Sequence, residues 1–154
     1  MNIEFRRLTE VDKSEVIDLM NNPLVRRHMP LATGNFDNAA YKAFIADKEQ
    51  LWKEHGYGPW AFYVDGKFVG WGGLQYEQGD ADLALILHPD YWGLGKAIYQ
   101  EIVKRAFGEM GFKSITVLFP PSRTRIKGLF YLGFKPDGEL MVKGKRFLRF
   151  RYTP

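Results

Sequence analysis

ALILHPDYWGLGKA, residues 84–97, decides the reading of this chain. Ala84 to His88 is an apolar run closed by histidine and then proline, the pattern of a buried strand. Residues 97–112, AIYQEIVKRAFGEMGF, carry apolar positions at helical spacing. Gly93 and Gly95 sit at the seam, with Tyr91 and Trp92 in front. A helix N-terminus leaves backbone N–H groups without partners and carries partial positive charge. Glycines let an anion approach that backbone, and Lys96 adds a full charge, so the junction has the make-up of a phosphate site. Its spacing is neither the three-glycine dinucleotide fingerprint nor GxxxxGK[ST]. A tight turn that merely packs the helix on a sheet fits the same residues.

Outward from the junction, the elements follow from periodicity and punctuation. Ile3–Leu8 alternates as a short strand, and Lys13–Asn21 carries a helical stripe. Pro23 and Pro30 bound a loop or short second helix. Asp37 or Asn38 starts a long helix to about His55, with Tyr41, Phe44, Ile45, Leu51 and Trp52 on one side. Gly56, Gly58 and Pro59 end it. Strands at Trp60–Val64, Lys67–Tyr76 and Asp82–His88 form an antiparallel meander, with turns at Asp65-Gly66 and Gly79-Asp80. Gly70, Gly72 and Gly73 mark a close approach or a bulge. After the helix come a strand at Ser114–Phe119 and a short helix from Ser122 to about Leu132. A final strand pair, Phe134–Met141 and Arg146–Tyr152, completes the order. Strands so interleaved with helices predict a mixed sheet with helices on its faces.

Composition narrows the chemistry. The 154 residues suit one domain with a proper core. There is no cysteine, which excludes disulfides, thiolate metal sites and a cysteine nucleophile. His28, His55 and His88 are scattered without metal-ligand spacing, so no metal is expected. The charged N-terminus lacks a signal core and no apolar run reaches membrane-span length, so a cytoplasmic protein without a membrane partner is expected. The net charge of +4 suits an anionic ligand, but no nucleic-acid motif accompanies it.

The order of elements and the loop together resemble the GNAT (general N-acetyltransferase) superfamily. That family's pyrophosphate loop reads Q/R-x-x-G-x-G/A. Here Trp92 stands where Gln or Arg is usual, and Gly95 and Ala97 fit. The fuller pattern P-x-Y-W-G-x-G-x-A, matched at Pro89, Tyr91, Trp92, Gly93, Gly95 and Ala97, is similar to the branch that includes the ribosomal-protein N-terminal acetyltransferases. RRLTEVD and NNPLVRRHM near the start, and YLGF at Tyr131–Phe134, extend the resemblance over essentially the whole chain. It implies an α+β fold over residues 1–154: a mixed, mostly antiparallel central sheet of six to seven strands flanked by about four helices.

The resemblance also implies a site. The backbone of Trp92, Gly93, Leu94, Gly95, Lys96 and Ala97 would hold the pyrophosphate of acetyl-CoA. Main-chain groups of Leu85 would bond the acetyl carbonyl, and those of Leu87 the pantetheine arm as an added strand. Asp82 stands in Ala81-Asp82-Leu83-Ala84 where that branch often has Glu, and is a candidate base. Glu77, Asp80 and His88 are rivals, and strand alternation puts Asp82 and His88 on one face. The family's acid, a Tyr four residues before the corner glycine, falls on Leu129, a departure. Tyr131 lies elsewhere around that helix. The helix-start Asn that touches the cofactor falls on Ser122.

The implied activity is transfer of an acetyl group to a primary amine, on a peptide N-terminus or a small molecule, by direct attack on the thioester. A non-catalytic acyl-CoA-binding module is the other reading, and a homodimer is compatible with either. Arg123, Arg125 and Lys127 crowd a helix start, where positive charge is unfavourable unless an anion is near. Arg26, Arg27 and His28 fit an acidic or carboxylate-bearing acceptor and equally fit plain surface charge.

Overall fold

In the Asp65-Gly66 turn both residues adopt positive φ, 49° and 82°, the geometry a two-residue hairpin requires. This turn joins β2 (Pro59–Val64) to β3 (Lys67–Glu77). Gln78 and Gly79, also at positive φ, join β3 to β4 (Asp80–Leu87), one residue earlier than the sequence suggested. The computed structural model describes residues 2–27, 29, 32 and 34–154. His28 and Pro30 lie outside the described residues.

With β1 (Ile3–Arg6), β5 (Ile115–Phe119), β6 (Lys135–Val142) and β7 (Lys145–Tyr152), the strands form one seven-stranded sheet in the order β1-β2-β3-β4-β5-β7-β6. Every neighbouring pair is antiparallel except β4–β5. Five helices are described: α1 (Lys13–Asn21), α2 (Pro23–Arg26), α3 (Asn38–His55), α4 (Gly95–Phe107) and α5 (Lys127–Tyr131).

The glycines of β3 bring two strands into close approach. A Cβ on Gly70 would lie 2.1 Å from the Ile86 carbonyl oxygen, and one on Gly72 would lie 2.2 Å from that of Ala84. The β3–β4 register runs unbroken from Gly70↔Leu87 to Glu77↔Asp80, so close approach is the reading that holds here. The register shift lies instead between β2 and β3, at Phe62/Tyr63.

Each face of the sheet has its own core. On one side Ile98, Ile102 and Ala106, one helical turn apart on α4, are fully buried against Phe62, Leu74, Ile115 and Phe134. On the other, Val16, Leu19 and Met20 of α1 pack on Ala61, Tyr63 and Trp71. α3 lies on this second side and buries none of its 18 residues. The Asp37 carboxylate caps it by accepting the Ala40 N–H at 2.9 Å, and Gly56 ends it at φ 76°. Phe44 meets Trp71 edge-on at 5.0 Å, and the Trp52 indole donates to the Pro59 carbonyl at 3.0 Å.

Candidate active site

The site begins where the sheet opens. β4 and β5 share a single registered pair, Asp82↔Thr116, and then part. Before that pair the seam is fastened by ions. Arg151 of β7 donates to both carboxylate oxygens of Asp80 at 2.9 and 3.0 Å, to Ser114 Oγ at 2.8 Å and to Asp137 at 2.8 Å. Arg149 adds a contact to Asp137 at 3.1 Å. Beyond the pair a groove of about 1160 Å³ passes between the strands, reaching α4 and α5 on one side and α3 on the other.

The phase of the β3–β4 ladder decides which main-chain groups face this opening. His88 N–H donates to the Val69 carbonyl at 2.8 Å. Antiparallel pairs alternate between bonded and non-bonded. Ala84 and Ile86 therefore exchange bonds with β3, while the N–H and C=O of Leu85 and Leu87 point toward the parted β5 edge. Leu85 lines the groove. The Leu87 oxygen is already engaged: the Trp92 indole N–H donates to it at 2.9 Å. The Trp in place of Gln or Arg thus ties the loop back onto the end of β4.

Pro89–Leu94 forms a short 3₁₀ turn that runs directly into α4 at Gly95. No side chain caps the start of α4. Neither Gly93 nor Gly95 has positive φ, so their own backbone does not require glycine. A Cβ on Gly93 would meet nothing within 4 Å, and one on Gly95 only side-chain carbons of Leu85 and Leu87 at 3.8 and 3.9 Å. The turn alone leaves these two glycines unexplained. Gly95 lines the groove and Gly93 does not; a group approaching the helix end closely accounts for Gly95, and the uncapped amides with Lys96 beside the groove suit a pyrophosphate. Arg123, which stacks its guanidinium 4.0 Å over the Phe119 ring, also lines the groove.

Asp82 is buried in the groove wall and accepts a hydrogen bond from Thr116 Oγ1 at 2.9 Å. Burial pushes its carboxyl up to about 8; the Thr116 bond opposes the shift, and Glu77 and Asp80 add to it. Thr116 carried no signal in the sequence, because its partner is 34 residues away. Tyr99 lines the groove one turn beyond Gly95, and burial raises its phenol to about 12. Its spacing of one helical turn from Gly95 was readable in the sequence.

Four expectations need correction. Six residues at about 3.3 Å each put His88 about 20 Å along β4 from Asp82. His88 does not line the groove; its Nδ1 accepts the Asp90 N–H at 3.1 Å. Ser122 caps no helix: it is exposed in a turn, and α5 begins only at Lys127. Arg123 and Arg125 therefore precede the helix and avoid its positive end. Arg26 lines the groove, but its guanidinium donates to the carbonyls of Met20 and Gly34. Leu129 lines the groove where the family acid was expected, and Tyr131 is 86% exposed.

Among the described residues no three His, Cys, Asp or Glu side chains are grouped to hold a metal ion. No described helix is long and apolar enough to cross a membrane.

No curated protein sequence matches this chain. Solved structures do. An acetyltransferase from Agrobacterium tumefaciens str. C58 superposes with a TM-score of 0.76 at 17% identity, covering 99% of this chain and 91% of its own. AAC(6')-Ib in complex with ribostamycin and coenzyme A gives 0.77 at 14%, covering 99% and 94%. A Vibrio cholerae protein assigned as a ribosomal-protein-serine acetyltransferase gives 0.73 at 15%, covering 100% and 95%. At these identities the likeness is one of fold. The family model for the acetyltransferase (GNAT) domain matches residues 2–126. Most of the chain carries that match and the fold agrees with it, so the protein belongs to the GNAT acetyltransferase family.

Proposed function

We propose that the protein is an acetyl-CoA-dependent N-acetyltransferase acting on a primary amine. The observation that carries this reading is the opening between β4 and β5 beside the uncapped start of α4. One wall of the groove offers unpaired main-chain groups at Leu85, and the end of α4 offers amides to an anion. When bound, acetyl-CoA supplies the acetyl group as an activated thioester.

The chain's own residues then have separable tasks. The amides from Gly93 to Ala97, with Lys96, hold the pyrophosphate. The Leu85 N–H holds and polarises the acetyl carbonyl. The Leu87 N–H remains for the pantetheine arm, since its oxygen is held by Trp92. Asp82 takes the proton that the attacking amine must lose. Asp82 and Leu85 are separated by about 10 Å of strand, so this proton passes through ordered water. Tyr99 donates a hydrogen bond to the departing thiolate in place of the absent family tyrosine, and its raised pKa keeps that proton on the phenol.

Calorimetry with acetyl-CoA, followed by thiol-release assays over amines and N-terminal peptides, tests the reading. Binding with release for at least one amine is expected. Failure to bind acetyl-CoA would overturn it. Binding without release for any amine would favour an acyl-CoA-binding module on the same fold.

A further inference from the structure

The half of the groove under α3 contains a largely enclosed cation that the proposed reaction does not use. Lys48 keeps only 13% of its side chain exposed. Its ammonium donates to Gln75 Oε1 at 3.0 Å and lies 5.1 Å from the Trp71 ring and 5.5 Å from the Phe44 ring. An ammonium has three N–H donors, and among the described residues this one makes a single short hydrogen bond. The nearest carboxylate, that of Asp47, is 3.6 Å away and 68% exposed, turned largely to solvent. Burial holds the Lys48 pKa below its ordinary value, and Lys143 lowers it further, while Asp47 and Glu77 oppose the shift. A helix surface imposes no need for lysine here. Methionine at 48 would fill the same space with no buried charge.

We infer that Lys48 binds the carboxylate of the acceptor, which is a small amine carrying a carboxylate on an aromatic or apolar body. This rests on the proposed acetyl transfer for the word acceptor, but the binding site itself does not. Three aromatic rings, Phe36, Phe44 and Trp71, line this half together with Met20 and Met29. They supply the apolar wall, and Lys48 an ammonium largely enclosed by it. Arg26 already gives two of its five N–H donors to main-chain carbonyls, which hold its guanidinium toward Met20 and Gly34. A carboxylate at Lys48 uses the free N–H donors as charge-assisted hydrogen bonds. A polycationic acceptor such as an aminoglycoside would meet this buried charge with the same sign.

The test uses full-length protein loaded with CoA and two probes, N-acetyl-L-phenylalanine and its amide. The acid is expected to bind at least ~10-fold tighter than the amide, a difference of about 1.4 kcal/mol. Lys48→Met and Lys48→Gln should abolish that preference while leaving CoA affinity unchanged, which also verifies folding. Equal binding of acid and amide, preference that survives both substitutions, or no binding of either probe at millimolar concentration would overturn the inference. Thiol release with phenylalanine against phenethylamine separates the two proposals. Carboxylate binding lost in Lys48→Met without any release would leave this site standing and sink the transferase reading.

Discussion

Thr116 Oγ1 donates to Asp82 Oδ1 over 2.9 Å across the one pair that joins β4 to β5. That bond favours the ionised carboxylate, whereas burial favours the neutral acid, and burial prevails. The folded chain therefore keeps a proton up to about pH 8 that the unfolded chain releases near the ordinary value of 3.8. More protons on the folded state make the contribution of this group to stability fall as pH rises from about 4 through about 8.

Asp82→Asn removes that charge but keeps an acceptor for Thr116. It is expected to raise Tm by roughly a few degrees at pH 9. The gain should shrink to nothing near pH 4, while kcat falls by about 10²–10⁴. Thermal melts of both proteins across this range check the first part. A gain independent of pH would contradict a buried charge at Asp82.

Wild-type kcat/KM should rise with pH through about 8, as Asp82 ionises. Thr116→Val removes the bond that favours the ionised form. The rising limb should then move up by roughly 0.5–1 pH unit, since a hydrogen bond is worth about 1 kcal/mol and one unit is about 1.4 kcal/mol. Thr116→Ser should restore it. An unmoved limb would remove Asp82 as the titrating base.

Gly93→Ala and Gly95→Ala place a methyl group where the protein itself has room. Stability should stay level or rise by about 0.5–1 kcal/mol for Gly95, which lies in the helix. Acetyl-CoA affinity should fall about tenfold or more, read by calorimetry. Unchanged affinity in both variants would show that the glycines do not receive the pyrophosphate.

Tyr99→Phe keeps the ring against Phe134 and deletes only the hydroxyl. The expected result is a roughly 10–100-fold loss in kcat with acetyl-CoA affinity unchanged. Equal loss in affinity and rate would instead make Tyr99 a binding contact.

Much of the fold was legible because turns and caps are local. Asp65-Gly66, Asp37 and Gly56 each act within a few residues, and the elements they bound lie where the sequence indicated. The short helix after β5 was misjudged at its start, where Ser122 looked like a cap. Its own sequence held the warning, because Arg123 and Arg125 would have faced the positive end of the helix. The strand–turn–helix junction that carries Leu85 and the two glycines was legible from one contiguous stretch. Thr116 and Lys48 were not, because their partners Asp82 and Gln75 are 34 and 27 residues distant and meet only through the sheet. His88 misled because strand alternation gives the face of a side chain but not its distance along the strand.

α3 buries no residue, although it walls one side of the groove. Tyr41, Phe44 and Ile45 pack its inner face on the second core, but only in part, and the first core lies across the sheet from it. Substitutions at its groove-lining positions therefore change what the groove admits at a smaller thermodynamic cost than comparable changes at Ile102 or Phe134, which would each cost about 2–5 kcal/mol. On the proposed reading, such a division lets acceptor choice drift or be engineered along α3 while the half that would bind the donor stays fixed.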